Sequence, residues 1–165
     1  GAIPFEQDRR IRELALWMFI NDEAVTDIRP WHRIREDDVW FTRAAADASV
    51  LFVHLPNDGA WMRGTRRSFT VTSARATADT TIQVLGQSGE IMEYKRDIDV
   101  APHFNQTDSG LELDVMPYQR IYNMEQPPWP NPIVVKLTHV EPVGESTELD
   151  AANEGMQHVP GEDRG

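Results

Sequence analysis

The sequence predicts a mainly β protein: an antiparallel β-sandwich of about eight strands preceded by one N-terminal α-helix. Three observations carry that prediction. Apolar residues recur with helical spacing only in the first twenty positions, the spacing shortens to that of strands beyond Trp31, and clusters of Asn, Asp, Gly and Ser punctuate the rest of the chain. With 165 residues the chain can build one domain with a proper core. It is too short for a (β/α)8 barrel, which takes about 250 residues.

From Arg9 to Ile20 the apolar residues Ile11, Leu14, Ala15 and Met18 fall on one helical face, with Arg10, Arg12 and Glu13 opposite. Leu16, Trp17, Phe19 and Ile20 then add apolar groups around the remaining circumference, so this helix expects burial on more than one side. Asn21 is placed to end it, and Pro30 bars its continuation beyond Arg29. Residues 1–31 therefore read as a helix and linker. Residues 32–142 read as the sandwich.

The strand candidates are Val39 to Thr42, Ser49 to Leu55, Ser68 to Ser73, Thr80 to Leu85, Ile91 to Arg96, His103 to Thr107, Leu111 to Met116 and Ile133 to Val140. Leu111, Leu113 and Val115 alternate with Glu112 and Asp114, which puts one face on the core and one in water. Val50 to Val53 is apolar throughout, so that strand is expected to be covered on both faces. Turns are signalled by Asn57-Asp58-Gly59, Gly86-Gln87-Ser88-Gly89 and Asp108-Ser109-Gly110. The proline-rich stretch from Pro117 to Pro132 reads as a long loop, a kind of segment that usually carries function or covers another surface. Residues 143–165 turn acidic and polar, with the composition of a tail lacking a packed core.

Composition narrows the function classes. No apolar run approaches the roughly 20 residues that a membrane-spanning helix needs. A formal charge of −11 argues against nucleic-acid or anionic-membrane partners, which recruit basic surfaces. The absence of cysteine excludes disulfides, thiolate metal sites and a cysteine nucleophile, and leaves the compartment open. The arginines Arg63, Arg66 and Arg67 form the one dense basic cluster. They are expected in a solvated loop.

No catalytic constellation stands out. Asp37-Asp38 and the Asp97/Asp99 pair sit at turns or edges, where water would keep a carboxyl from the raised pKa that an acid catalyst requires. His32, His54, His103, His139 and His158 lack metal-ligand spacing, so no metal or cofactor is expected. His54, among apolar strand residues, reads as a hydrogen-bonded, half-buried ring. Gly-x-Ser-x-Gly is missing as well. What remains are aromatic rings: Trp61 and Trp129, with Tyr118 and Tyr122, fall in loops where they could stack on a sugar, or pin those loops to the surface. Trp17, Trp31 and Trp40 read as core or junction packing.

The junction between the helix and the first strands resembles that of family 29 α-L-fucosidases. In that family the last barrel helix passes through an Asn-Gly-Glu-Ala-Ile-Tyr-Gly-Thr-Arg-Pro-Trp type stretch into a C-terminal β-sandwich. Asn21, Glu23, Ala24, Arg29, Pro30 and Trp31 match it, whereas Asp22, Thr26, Asp27 and Ile28 stand where the family has Gly, Tyr, Gly and Thr. Val39 to Thr42, Val50 to Pro56, Ile82 to Gly86, Phe104 to Leu113 and Ile133 to Leu137 come in family order, so the likeness extends from about Phe5 to Val140.

The resemblance implies a C-terminal region of a retaining α-L-fucosidase whose two catalytic carboxylates lie on a barrel upstream, with none in this chain. It implies as partners the parent's own catalytic barrel and fucosylated glycans. A homo-oligomer through the apolar helix is the alternative cover, and a secreted or periplasmic parent is compatible. The chain by itself is expected to brace the barrel and to be inactive. The alternatives are a carbohydrate-binding module using Trp61 or Trp129, and an interaction domain working through the helix.

Overall fold

The computed structural model describes residues 3–57, 61, 64–87, 98–117 and 131–144. Among them one helix, α1 (Phe5–Ile20), and a short 3-10 turn (Asp22–Ala24) precede eight strands. These are β1 (Ile28–Glu36), β2 (Val39–Ala44), β3 (Leu51–Leu55), β4 (Arg67–Val71), β5 (Ala74–Val84), β6 (His103–Thr107), β7 (Gly110–Val115) and β8 (Ile133–Pro142). They form a five-stranded sheet in the order β1-β2-β3-β8-β5 and a three-stranded sheet in the order β4-β7-β6. Every pairing is antiparallel. The mainly β sandwich with a leading helix is thus the observed class.

The core lies between the sheets. Leu111, Leu113 and Val115 of β7 face Leu51, Val53, Val135 and Leu137 of β3 and β8, and all are buried. β7 alternates as its sequence predicts, with Glu112 and Asp114 partly exposed. In β3, Leu51, Phe52 and Val53 are all buried, because Phe52 joins a second, smaller core on the outer face with Ala24, Leu85 and Val134. The β6–β7 hairpin closes on Asp108-Ser109, with Thr107 paired to Gly110. A side chain at position 110 would stand 2.7 Å from the Val71 carbonyl at a φ of +137°, so glycine is required there.

The structure departs most from the sequence reading at α1, β1 and β5, the last starting at Ala74 where Thr80 was expected. α1 begins four residues before Arg9, because the Pro4 carbonyl accepts from the amides of Gln7 and Asp8, and Glu6 and Asp8 favour a helix start. The largest correction is β1, an unexpected strand that begins at Ile28 within the stretch expected as linker and runs to Glu36 in the sandwich region. Pro30 and the polar residues around it hid the strand. β1 is a sheet edge, where a missing amide is tolerated, and it bulges between Pro30 and Arg35. The expected strand at Ile91 to Arg96, most of the 117–132 loop and all but the first residues of the 143–165 tail lie outside the described residues.

β1 also secures the passage between the sheets. Only Thr72 and Ser73 separate β4 of one sheet from β5 of the other. The Glu36 carboxylate accepts both of their amides, at 2.7 and 2.8 Å. The Ser73 carbonyl accepts from the Trp31 indole at 3.3 Å and from the Val143 amide at 2.9 Å. Burial opposes ionisation of Glu36, but the hydrogen bonds from Ser73 and Thr72 outweigh it and hold the carboxyl below its ordinary range.

The helix end is fastened separately. Trp17 donates its indole N–H to the Pro132 carbonyl at 2.7 Å, and buried Asn21 returns both its amide and its side-chain N–H to the Trp17 carbonyl. Glu23 pairs with Lys136 on β8.

Removing the Glu36 carboxylate strands the amide of buried Ser73 and leaves that of exposed Thr72 to water, so Glu36→Ala should cost about 2 kcal/mol in urea unfolding. Glu36→Gln, which keeps one acceptor oxygen, should cost less. Equal stability of the two variants and the parent chain would remove the carboxylate from this role.

Candidate functional site

The aromatic candidates separate once placed in the fold. Trp61 is only 6% exposed and belongs to the main core. Its indole donates to the Thr65 carbonyl at 2.7 Å, Phe69 packs 5.5 Å from its ring, and the Arg67 guanidinium lies 5.1 Å from its centroid. That environment offers no open ring face to a ligand, and the loop-pinning alternative describes Trp61 as it stands. Trp129, Tyr118 and Tyr122 lie outside the described residues. Trp31 is in the core and Trp17 packs at the junction, as expected. Trp40 is the correction: it is 51% exposed.

Strand register explains Trp40. Val39 and Phe41 point into the sandwich, so the intervening residue points out. It pairs with Arg35 of β1 on one side and with His54 of β3 on the other. The Arg35 guanidinium sits 5.3 Å from its ring centroid, a cation–π contact that steadies the indole. The alternation Val-Trp-Phe was the available signal. Its three apolar residues in a row concealed which one faced outward.

Trp40 lines a groove of about 840 Å3 formed where β1 bulges away from β2, bordered also by the end of β3 and by Pro132. Its walls are mostly apolar, from Ile28, Pro30, Ile34 and Phe41, and Arg29, Asp38, Thr42 and His54 provide polar groups. His54 is half-buried with its Nε2 3.0 Å from the Thr42 hydroxyl, and burial lowers its pKa to about 4. The neutral ring and the Thr42 hydroxyl share one hydrogen bond through Nε2, in a direction set by the ring's tautomer, and Nδ1 is the ring's other polar atom.

Among the described residues the candidate carboxyl groups do not assemble into acid and nucleophile. Asp37 occupies the turn between β1 and β2 with a φ of +48°, and Asp38 lies 3.7 Å from Arg35. Asp97 is outside the described residues. Asp99 accepts the Ala101 amide and the His103 ring, in that order the main reasons its carboxyl is held below the ordinary range. That is the wrong direction for a general acid. Of the basic cluster, Arg63 lies outside the described residues, Arg67 sits over Trp61, and Arg66 donates to the carbonyls of Asp99, Ala101 and Asp114, tying two segments to the start of β4.

No known family's sequence profile matches the chain. It is similar to the tissue α-L-fucosidase of Rattus norvegicus, 29% identical over 92 residues that make up 54% of this chain and 18% of that protein. A region of the chain is therefore related in sequence to a minor part of a fucosidase.

The neutral His54 has a measurable consequence. The unfolded chain takes up a proton near pH 6.5, whereas folded His54 resists protonation until about pH 4, so stability falls as pH falls through that window. The loss should approach about 3 kcal/mol at its lower end. Urea titrations at a series of pH values should show this slope, and His54→Gln should flatten it. Glu36 acts in the same direction only at lower pH, as its depressed carboxyl protonates.

Proposed function

We propose that this chain is a non-catalytic β-sandwich region of an α-L-fucosidase, with α1 as the surface against which a catalytic barrel packs. The observation that carries the reading is the uncovered face of α1. Ile11, Leu14, Met18 and Phe19 are all exposed, Phe19 by 81%, while Leu16, Trp17 and Ile20 on the other side are half-buried. A helix that is apolar on two sides and covered on one calls for a second partner.

The partial likeness to the rat fucosidase supports a glycosidase barrel as that partner. On this reading the parent protein hydrolyses terminal α-L-fucosyl linkages with retention, through a glycosyl-enzyme intermediate, using two carboxyl groups about 5 to 5.5 Å apart on the barrel. The sandwich contributes a rigid platform. Its junction supports that role: Trp17, Asn21 and the Glu23–Lys136 pair fix the exit of the helix to β8 and its flanking segment. Without a barrel the same face would pair two copies, which is the form the interaction-domain alternative takes.

The purified chain should release no chromophore from an aryl α-L-fucoside. Release that disappears on replacing one of its own carboxylates would overturn the non-catalytic reading. In sedimentation velocity the chain should self-associate with concentration, and Leu14→Ser with Phe19→Ser should abolish this with little change in thermal midpoint, since both side chains are exposed. A parent chain that stays monomeric at high concentration would count against the helix as an interface.

A further inference from the structure

We propose that the Trp40 groove is a binding site for a neutral pyranoside, with the indole of Trp40 as its platform. The inference rests on the groove's own chemistry and goes beyond the bracing role. A pyranose presents C–H groups on one face and hydroxyls around its edge. It therefore needs an apolar wall beside groups that donate and accept hydrogen bonds.

The groove has both. Trp40 supplies an exposed aromatic surface held by Arg35. Sandwich-directed packing does not explain an indole left half in water on a strand whose neighbours are buried. The bulge of β1 opposite Phe41 makes the surface concave, and about 840 Å3 falls within the roughly 300–1,000 Å3 of small-molecule sites. Among the polar groups, His54 has its Nε2 engaged by Thr42, and its Nδ1 makes no hydrogen bond among the described residues. That nitrogen can exchange a hydrogen bond with a sugar hydroxyl, which both donates and accepts. Arg29 brings donors and Asp38 acceptors.

Charge selects the ligand class. The lining carries one arginine and one aspartate, with Arg35 engaged at its edge by Asp38 and the Trp40 ring, so no cluster of free cations gathers there for an anion, and the chain's −11 repels anionic ligands at long range. A purely apolar partner segment would fill the walls but would strip water from Asp38 and Arg29 without replacing its hydrogen bonds, which opposes binding. A neutral polyol with an apolar face satisfies both halves. Trp61, a platform candidate by its loop position, has no open face. Trp40 takes that place instead.

The test uses the resolved indole N–H signals of the intact chain's five tryptophans in 15N-edited NMR, with the Trp40 signal assigned by Trp40→Phe. Methyl α-L-fucopyranoside and methyl β-D-glucopyranoside are titrated into the millimolar range. The Trp40 signal should shift and saturate with at least one of them, and Trp40→Ala should weaken binding about tenfold or more while its spectrum stays dispersed. His54→Gln, which keeps a side-chain acceptor, should weaken it less than His54→Ala. An unmoved Trp40 signal with both glycosides would overturn the proposal, as would saturable sugar binding that survives Trp40→Ala. A Trp40 shift with cyclohexanol but with neither sugar would reassign the groove to apolar packing. The fucoside-release assay is unaffected by any of these outcomes, so the site and the bracing role can fail independently.

Discussion

Two residues carry the chain from the three-stranded sheet to the five-stranded one, exposed Thr72 and buried Ser73, and the backbone groups of Ser73 have to be satisfied within the protein. Ser73 is 1% exposed, so water cannot serve it. The edge strand β1 solves this from one side: Glu36 takes both amides, and Trp31 shares the Ser73 carbonyl with the Val143 amide. His32, between them on β1, meets the Val143 carbonyl at 2.9 Å. One strand thus fixes the crossing, fills the core with an indole and anchors the end of β8. The register of β1 shifts between Pro30 and Arg35, beside the groove that Trp40 lines. Fold closure and the candidate site share a strand.

That shared strand also divides what could be read from the sequence from what could not. Elements defined by local pattern were legible: the helix by its apolar spacing, β7 by its alternation, β3 by its unbroken apolar run, β6 by its full extent. β1 was not, because an edge strand with a proline and a three-residue register excess resembles a linker at the level of period. β5 also starts earlier than its pattern suggests. Between Ala76 and Thr81 it bulges around His139, whose carbonyl accepts the hydroxyls of Thr77 and Thr80. Those threonine bonds pair residues about sixty positions apart, and no local pattern announces them.

The candidate site shows the same limit. Loop position suggested Trp61 as a platform, but a loop can be folded onto the core, and Arg67 and Phe69 hold this ring there. Trp40 looked like core because Val39 and Phe41 are core. Only the pairing with Arg35 and His54 settles which way it faces. The helix is different: two apolar sides were legible, and a cover for only one of them is what the fold supplies. The sandwich is therefore complete in its own interior, and the helix is not.

Hydrogen exchange of the isolated chain, followed residue by residue, tests that contrast most directly. Amides of β3, β8 and the Thr72–Ser73 crossing should exchange only through global unfolding. Those of α1 ahead of Trp17, whose second apolar side is uncovered among the described residues, should exchange about a hundredfold faster or more at dilute concentration. Protection of α1 equal to that of β3 and β8 in a monomeric sample would contradict this, because the helix would then be fully supported by the sandwich alone.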